Sequence, residues 1–161
     1  MRRTLMAYVT CMTVVLAGVS GAQAAPPEMC GRWKGNADIV VNWTKARTLP
    51  VEIAIAADDR VTGKIGDATI VNGRFRANRG WLGRALHIKT DWIIDGRLEG
   101  PIIAAENVVR DEVLMPLNWK RSGFEGGIAT SGSKIGGRDT MTLTARVILR
   151  RAPDMVVCSA E

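Results

Sequence analysis

The sequence predicts an all-β domain: a small antiparallel meander β-barrel of about eight or nine strands, with a β-sandwich as the alternative. Three observations carry this. Apolar and polar residues alternate with a period of two along most of the chain. A hydrophobic-x-Gly-x-Ile pattern recurs as RVTGKI (60–65), RLEGPI (97–102) and GFEGGI (123–128). Each copy follows a turn signal, at Asp58-Asp59, Asp95-Gly96 and Ser122-Gly123. Finally, no stretch carries a helical period.

The first strand is expected over 32–43, where Trp33, Gly35, Ala37, Ile39, Val41 and Trp43 share one face. The second, over 50–57, sets Val51, Ile53 and Ile55 against Glu52. Strands over 60–66 and 68–77 follow, separated by a tight turn. In 84–94, Leu86, Ile88, Thr90, Trp92 and Ile94 oppose Ala85, His87, Lys89 and Asp91. Segments 97–105, 107–119 (with a break at Pro116) and 123–130 continue the meander. The last strand, 138–151, sets Met141, Leu143, Ala145, Val147 and Leu149 against Thr142, Thr144, Arg146, Ile148 and Arg150. Loops fall at 44–49, 78–83 and 131–138. Mid-strand glycines mark bends or close approach of a neighbouring strand, which small curved barrels require.

Before the first strand, Arg2 and Arg3 precede an apolar run, and Ala22-Gln23-Ala24 forms a small-x-small cleavage site. Residues 1–24 therefore read as a secretory signal peptide and 25–161 as a single β-barrel domain. This predicts a periplasmic or secreted protein. The whole chain is formally +6, and loss of Arg2 and Arg3 leaves a mildly basic domain, which favours anionic partners. Of three cysteines, Cys11 leaves with the leader. Cys30 and Cys158, near the two ends of the domain, are the expected disulfide in an oxidising compartment.

The stretch CGRWKG (30–35) carries a Gly-x-Trp, Gly31 and Trp33, at the start of the first strand. It resembles the motif of the lipocalins and the wider calycin group. Thr90-Asp91-Trp92 is similar to the lipocalin Thr-Asp-Tyr motif. The resemblance implies that Trp33 plugs the closed end of a barrel. It also implies an arginine from the last strand packed across the indole, for which Arg146, Arg150 and Arg151 are the choices.

No catalytic site is expected. His87 is the single histidine and lies on the polar face of its strand. Neither a metal-ligand cluster nor a cofactor motif is present, so no metal and no cofactor are predicted. The glycine-rich GGIATSGSKIGG lacks the order of a phosphate loop. Asp58-Asp59 and Asp111-Glu112 read as solvated pairs.

The segment RFRANRGWLGR is the most distinctive. Arg74, Arg76, Arg79 and Arg84 surround Trp81 in a glycine-rich turn, a rim suited to an anionic amphiphile, a glycan or a membrane surface. The first functional expectation is an exported envelope protein that binds a small apolar or anionic amphiphilic ligand, a lipid or glycan fragment, in the barrel or at this rim. The alternative is a non-catalytic structural, interaction or inhibitor protein with a packed barrel and another envelope protein as partner. Nucleic acid is not an expected partner. Small inward residues such as Gly35, Ala37, Gly63, Gly100 and Ala145 are what would leave room for a ligand inside.

Overall fold

The computed structural model describes residues 25–78, 90–132 and 142–153. Ten strands follow in order: β1 Gly31–Ile39, β2 Thr48–Ile55, β3 Arg60–Ile65, β4 Ala68–Ala77, β5 Trp92–Glu99, β6 Pro101–Ile103, β7 Val108–Val109, β8 Glu112–Lys120, β9 Gly123–Ser131 and β10 Leu143–Arg151. Eight of them close an antiparallel barrel in the order β1-β10-β9-β8-β5-β4-β3-β2. Every barrel strand pairs with its sequence neighbour once the β6–β7 excursion is set aside, so the architecture is a closed meander. The final β1–β10 pairing, Trp33 against Arg151 through Ile39 against Ala145, removes the last free edge of the barrel sheet.

The alternation explains the closure. In β10, Leu143, Ala145, Val147 and Leu149 are buried while Arg146, Ile148 and Arg150 are exposed. In β2, Leu49, Val51, Ile53 and Ile55 point inward. Moving each large apolar side chain out of water contributes about 1.5–3 kcal/mol, and the strands can share this burial only by wrapping around one axis. The wall is polar and the interior apolar, the reverse of a barrel that spans a bilayer.

The interior is filled rather than roomy. Trp33, Phe75, Phe124, Ile70, Ile94 and Met115 are among its fully buried side chains. Gly35 and Gly63 leave no space for a ligand. A Cβ on Gly35 would lie 1.9 Å from the Ile148 carbonyl oxygen, and one on Gly63 (φ +140°) would lie 2.1 Å from that of Glu52. Those glycines admit neighbouring backbone. Gly100 is exposed, outside the barrel wall.

Several expected boundaries shift. The first strand ends at Ile39, where its N–H donates to the Arg47 carbonyl at 2.8 Å and the chain leaves for a loop. Asp95-Gly96 is no turn. It lies mid-way along β5, where a bulge between β4 and β5 brings the Gly73 backbone so close that a Cβ on Gly96 would be 3.0 Å from it. The chain only bends at Gly100, with φ +86°, and reverses at the 3-10 turn Ala104–Glu106 between β6 and β7. The RLEGPI copy therefore straddles the end of β5 and β6, unlike the two copies that open β3 and β9. Pro116 stays inside β8, where the ladder to β9 steps from Leu114 to Leu117. The part of the expected last strand before Thr142 lies outside the described residues.

Candidate functional site

The two ends of the barrel are built differently. At one end, β1, β4, β5, β8 and β9 each contribute an aromatic ring. Trp33 is 1% exposed and makes edge contacts with Phe124 at 4.8 Å and Trp119 at 5.6 Å between centroids. Phe124 meets Trp119 at 4.9 Å and Phe75 at 5.9 Å, and Phe75 stacks on Trp92 at 4.8 Å. The rings form one continuous cluster across the barrel end. Its outer members, Trp92 and Trp119, are only half-buried.

A short lead-in locks this end. Trp33 Nε1 donates to the Met29 carbonyl at 3.0 Å. The Arg151 guanidinium lies 4.6 Å from the centre of the Trp33 ring. Arg151 also donates to the carbonyls of Cys30, at 3.0 Å, and Glu28. One cation thus joins the last strand, the indole and the chain before β1. Cys30 is buried beside this joint. Cys158, its expected partner, lies outside the described residues.

Basic side chains ring the same end. Arg32, Arg60, Arg76, Lys120, Arg121 and Arg150 are all exposed there. Arg60 pairs with Asp58 at 2.5 Å and Arg76 with Asp95 at 2.8 Å. Arg74 projects from the same outer face as Arg76, its backbone paired with Arg60 and Asp95. The β4–β5 connection leaves and returns here. Its neck is closed by Asn78, whose Nδ2 donates to Thr90 Oγ1 at 2.6 Å and whose N–H donates to the Asp91 carbonyl at 2.9 Å. Arg79, Trp81, Arg84 and His87, within that connection, lie outside the described residues. A shallow groove of about 260 Å³ also opens at this end, with Arg32, Lys34, Glu52, Thr62 and the Trp33 backbone region around it.

The opposite end is closed by backbone. The β6–β7 excursion, with a 3-10 turn at Ala104–Glu106, folds over it and buries Ile102 and Ile103. Two carboxylates fasten this strap. Glu106 accepts the N–H groups of Lys45, at 2.9 Å, and Ala46, at 2.8 Å. Asp67 accepts the Ala104 N–H at 2.8 Å. The two backbone donors hold the Glu106 carboxyl below its ordinary pKa. Trp43, expected at the end of the first strand, instead lies half-buried in the loop beneath the strap, with the Arg110 guanidinium 4.9 Å from its ring centre. Burial lowers the pKa of Arg110, and neighbouring Asp111 opposes that.

A groove of about 570 Å³ runs along the outer wall near the strapped end, between Asp95, Arg97, Glu112, Leu114, Ala129 and Ser131. Its charges are of both signs, and no aromatic side chain lines it among the described residues. Among the described residues, no group of His, Cys, Asp and Glu is placed to hold a metal ion. Sequence reasoning did not find the half-buried Trp119, which its neighbour Lys120 should have flagged as an aromatic beside a basic turn. No family model matches the chain, and neither a curated protein nor a solved structure does.

Proposed function

We propose that the protein is an exported, non-catalytic binding protein that holds an anionic amphiphile at the aromatic end of a closed, packed barrel. One observation carries the reading: two half-buried indoles, Trp92 and Trp119, stand at the edge of an apolar ring cluster encircled by exposed arginines and lysines. An apolar tail laid on the indoles leaves its anionic head among the cations. Because the interior is filled, the ligand sits at the rim rather than in the bore. Gly31, Trp33 and Arg151, arranged as the calycin resemblance implies, support a calycin-type barrel in this role.

Export follows from residues 1–24, read as a signal peptide, and places the protein in the periplasm or outside the cell. An oxidising compartment would pair Cys30 with Cys158. The β1–β10 pairing supports that bond, since it sets Trp33 opposite Arg151 and so brings Cys30 near the end of the last strand. A bridge closing so long a loop contributes on the order of 4 kcal/mol in the chain-entropy model. Thiol counting on unfolded, unreduced protein tests it, and two titratable thiols would end the idea.

The functional test is a tryptophan-fluorescence titration with monomeric lysophosphatidylglycerol. The signal should shift at low salt and respond less at high salt, because exposed charges are screened over about 8 Å at physiological ionic strength. Arg79→Gln with Arg84→Gln should weaken the response while leaving thermal stability nearly unchanged. No response from wild-type protein at millimolar ligand would favour the second reading, a packed barrel that meets another envelope protein. The filled interior is the observation that supports that alternative.

A further inference from the structure

The charges of the described residues divide unevenly between the two barrel ends. The aromatic end carries Arg32, Lys34, Arg60, Arg74, Arg76, Lys120, Arg121, Arg150 and Arg151, against Glu28, Glu52, Asp58, Asp59, Asp91, Asp95 and Glu125, a net excess of cations. The strapped end gathers Asp38, Asp67, Glu99, Glu106, Asp111 and Glu112, balanced by Lys45, Arg47, Lys64, Arg97, Arg110 and Arg146. Among the described residues, the ion pairs at the aromatic end engage Lys34, Arg60 and Arg76, leaving Arg32, Lys120, Arg121 and Arg150 outside them. Arg150 instead donates to the Ser122 hydroxyl at 3.3 Å, which steadies the β8–β9 turn that carries Lys120 and Arg121.

We propose that the aromatic end docks on an anionic lipid bilayer with the barrel axis upright and the strapped end facing away. This rests on the reading of that end as an amphiphile site, and names a membrane surface as the source of the amphiphile. Three features favour a bilayer over a single dissolved ligand. The cations come from β1, β3, β4, β10 and the β8–β9 turn, so they encircle the end instead of converging on one headgroup. Half-buried tryptophans at the edge of that ring match the depth at which indoles lie in lipid headgroups. The far end balances its described acids and bases, so the net attraction falls on the aromatic end and selects one orientation from the two. The polar barrel wall keeps contact at the surface.

The experiment is sedimentation with vesicles of phosphatidylglycerol and phosphatidylcholine mixed equally, with pure phosphatidylcholine vesicles alongside. Wild-type protein should sediment with the anionic vesicles at low salt and be released by added salt. Each Lys or Arg near an anionic surface is worth roughly a fivefold change in partitioning. Lys120→Glu with Arg121→Glu should therefore lower binding at least about 25-fold. Lys64→Glu with Arg97→Glu, toward the strapped end, should leave it nearly unchanged. Arg32→Gln with Arg150→Gln gives a second test of the same end if the turn variant does not fold. Equal losses from variants at both ends would overturn the orientation. Binding to neutral vesicles as strong as to anionic ones would overturn the charge argument. Response to monomeric lysophosphatidylglycerol without any vesicle binding would overturn docking and leave the amphiphile site standing. No response to either would sink both.

Discussion

The barrel closes one end with side chains and the other with main chain. At the aromatic end, five rings and one guanidinium fill the opening. At the strapped end, a short excursion lies across it and is fastened by Glu106 and Asp67 through backbone N–H groups. The first closure depends on volume and buried apolar surface, which hardly respond to pH. The second also buries Ile102 and Ile103, but its fastening at Glu106 relies on an ionised carboxylate, which does respond. The same barrel therefore carries one end that fails by cavity formation and one whose fastening at Glu106 loosens on protonation.

Truncation at the aromatic end should have the largest effect. Trp33→Ala removes the ring that touches Phe124, Trp119 and Arg151 together, and should cost about 3–5 kcal/mol in chemical denaturation. A loss below about 1 kcal/mol would mean that the rings around it hold the end without it. Arg151 comes next. Arg151→Ala strips the cation from the indole and leaves the Cys30 and Glu28 carbonyls without that donor, at a cost of roughly 1–3 kcal/mol. Arg151→Lys should recover only part of this, because an ammonium does not reproduce the flat, forked guanidinium. Full recovery by lysine would reduce the joint to simple charge.

The smallest effect belongs to the strap. The folded pKa of Glu106 is depressed, so its stabilising contribution is present above the unfolded glutamate pKa of about 4.3 and is lost as pH falls through the lower, folded value. Protection of the Lys45 and Ala46 amides, measured against the unstructured exchange rate at the same pH, should fall in that acid range, ahead of amides in β1 and β10. Glu106→Gln should remove the acid-dependent step while leaving the Trp33 cluster intact. If the protection of those two amides, corrected for the intrinsic rate, is unchanged by acid, the two closures do not differ in the way their chemistry requires.

The strands that alternate cleanly were the legible ones. In β2 and β10 every second residue is strongly apolar, so the buried face follows from parity alone. Parity also separates the three candidate arginines. Arg146 and Arg150 share the outer face with Ile148, while Arg151 keeps the parity of Leu149 and, though exposed, reaches over the Trp33 ring. The turn at Asp95-Gly96 was misplaced because glycine serves two purposes that look alike in a sequence. It permits a bend with positive φ at Gly100 and admits a neighbouring backbone at Gly96. Trp43 shares the parity of β1 although the strand has already ended. The aromatic cluster was the least legible part. Trp33 and Trp119 are far apart in sequence and meet only because β8, β9, β10 and β1 close the circle.

The β1–β10 pairing also fixes how the molecule yields to force. Ala25 and Pro153 leave the barrel at the same end, with the Ala152 N–H donating to the Arg32 carbonyl at 2.9 Å just inside them. A load applied between these points does not shear two long strands past each other. It opens the seam like a zip, one rung at a time, beginning at Arg151 and Trp33. Mechanical weakness is then confined to a single seam. A covalent bond from Cys30 to the chain beyond Pro153 would carry the tension before the first rung did.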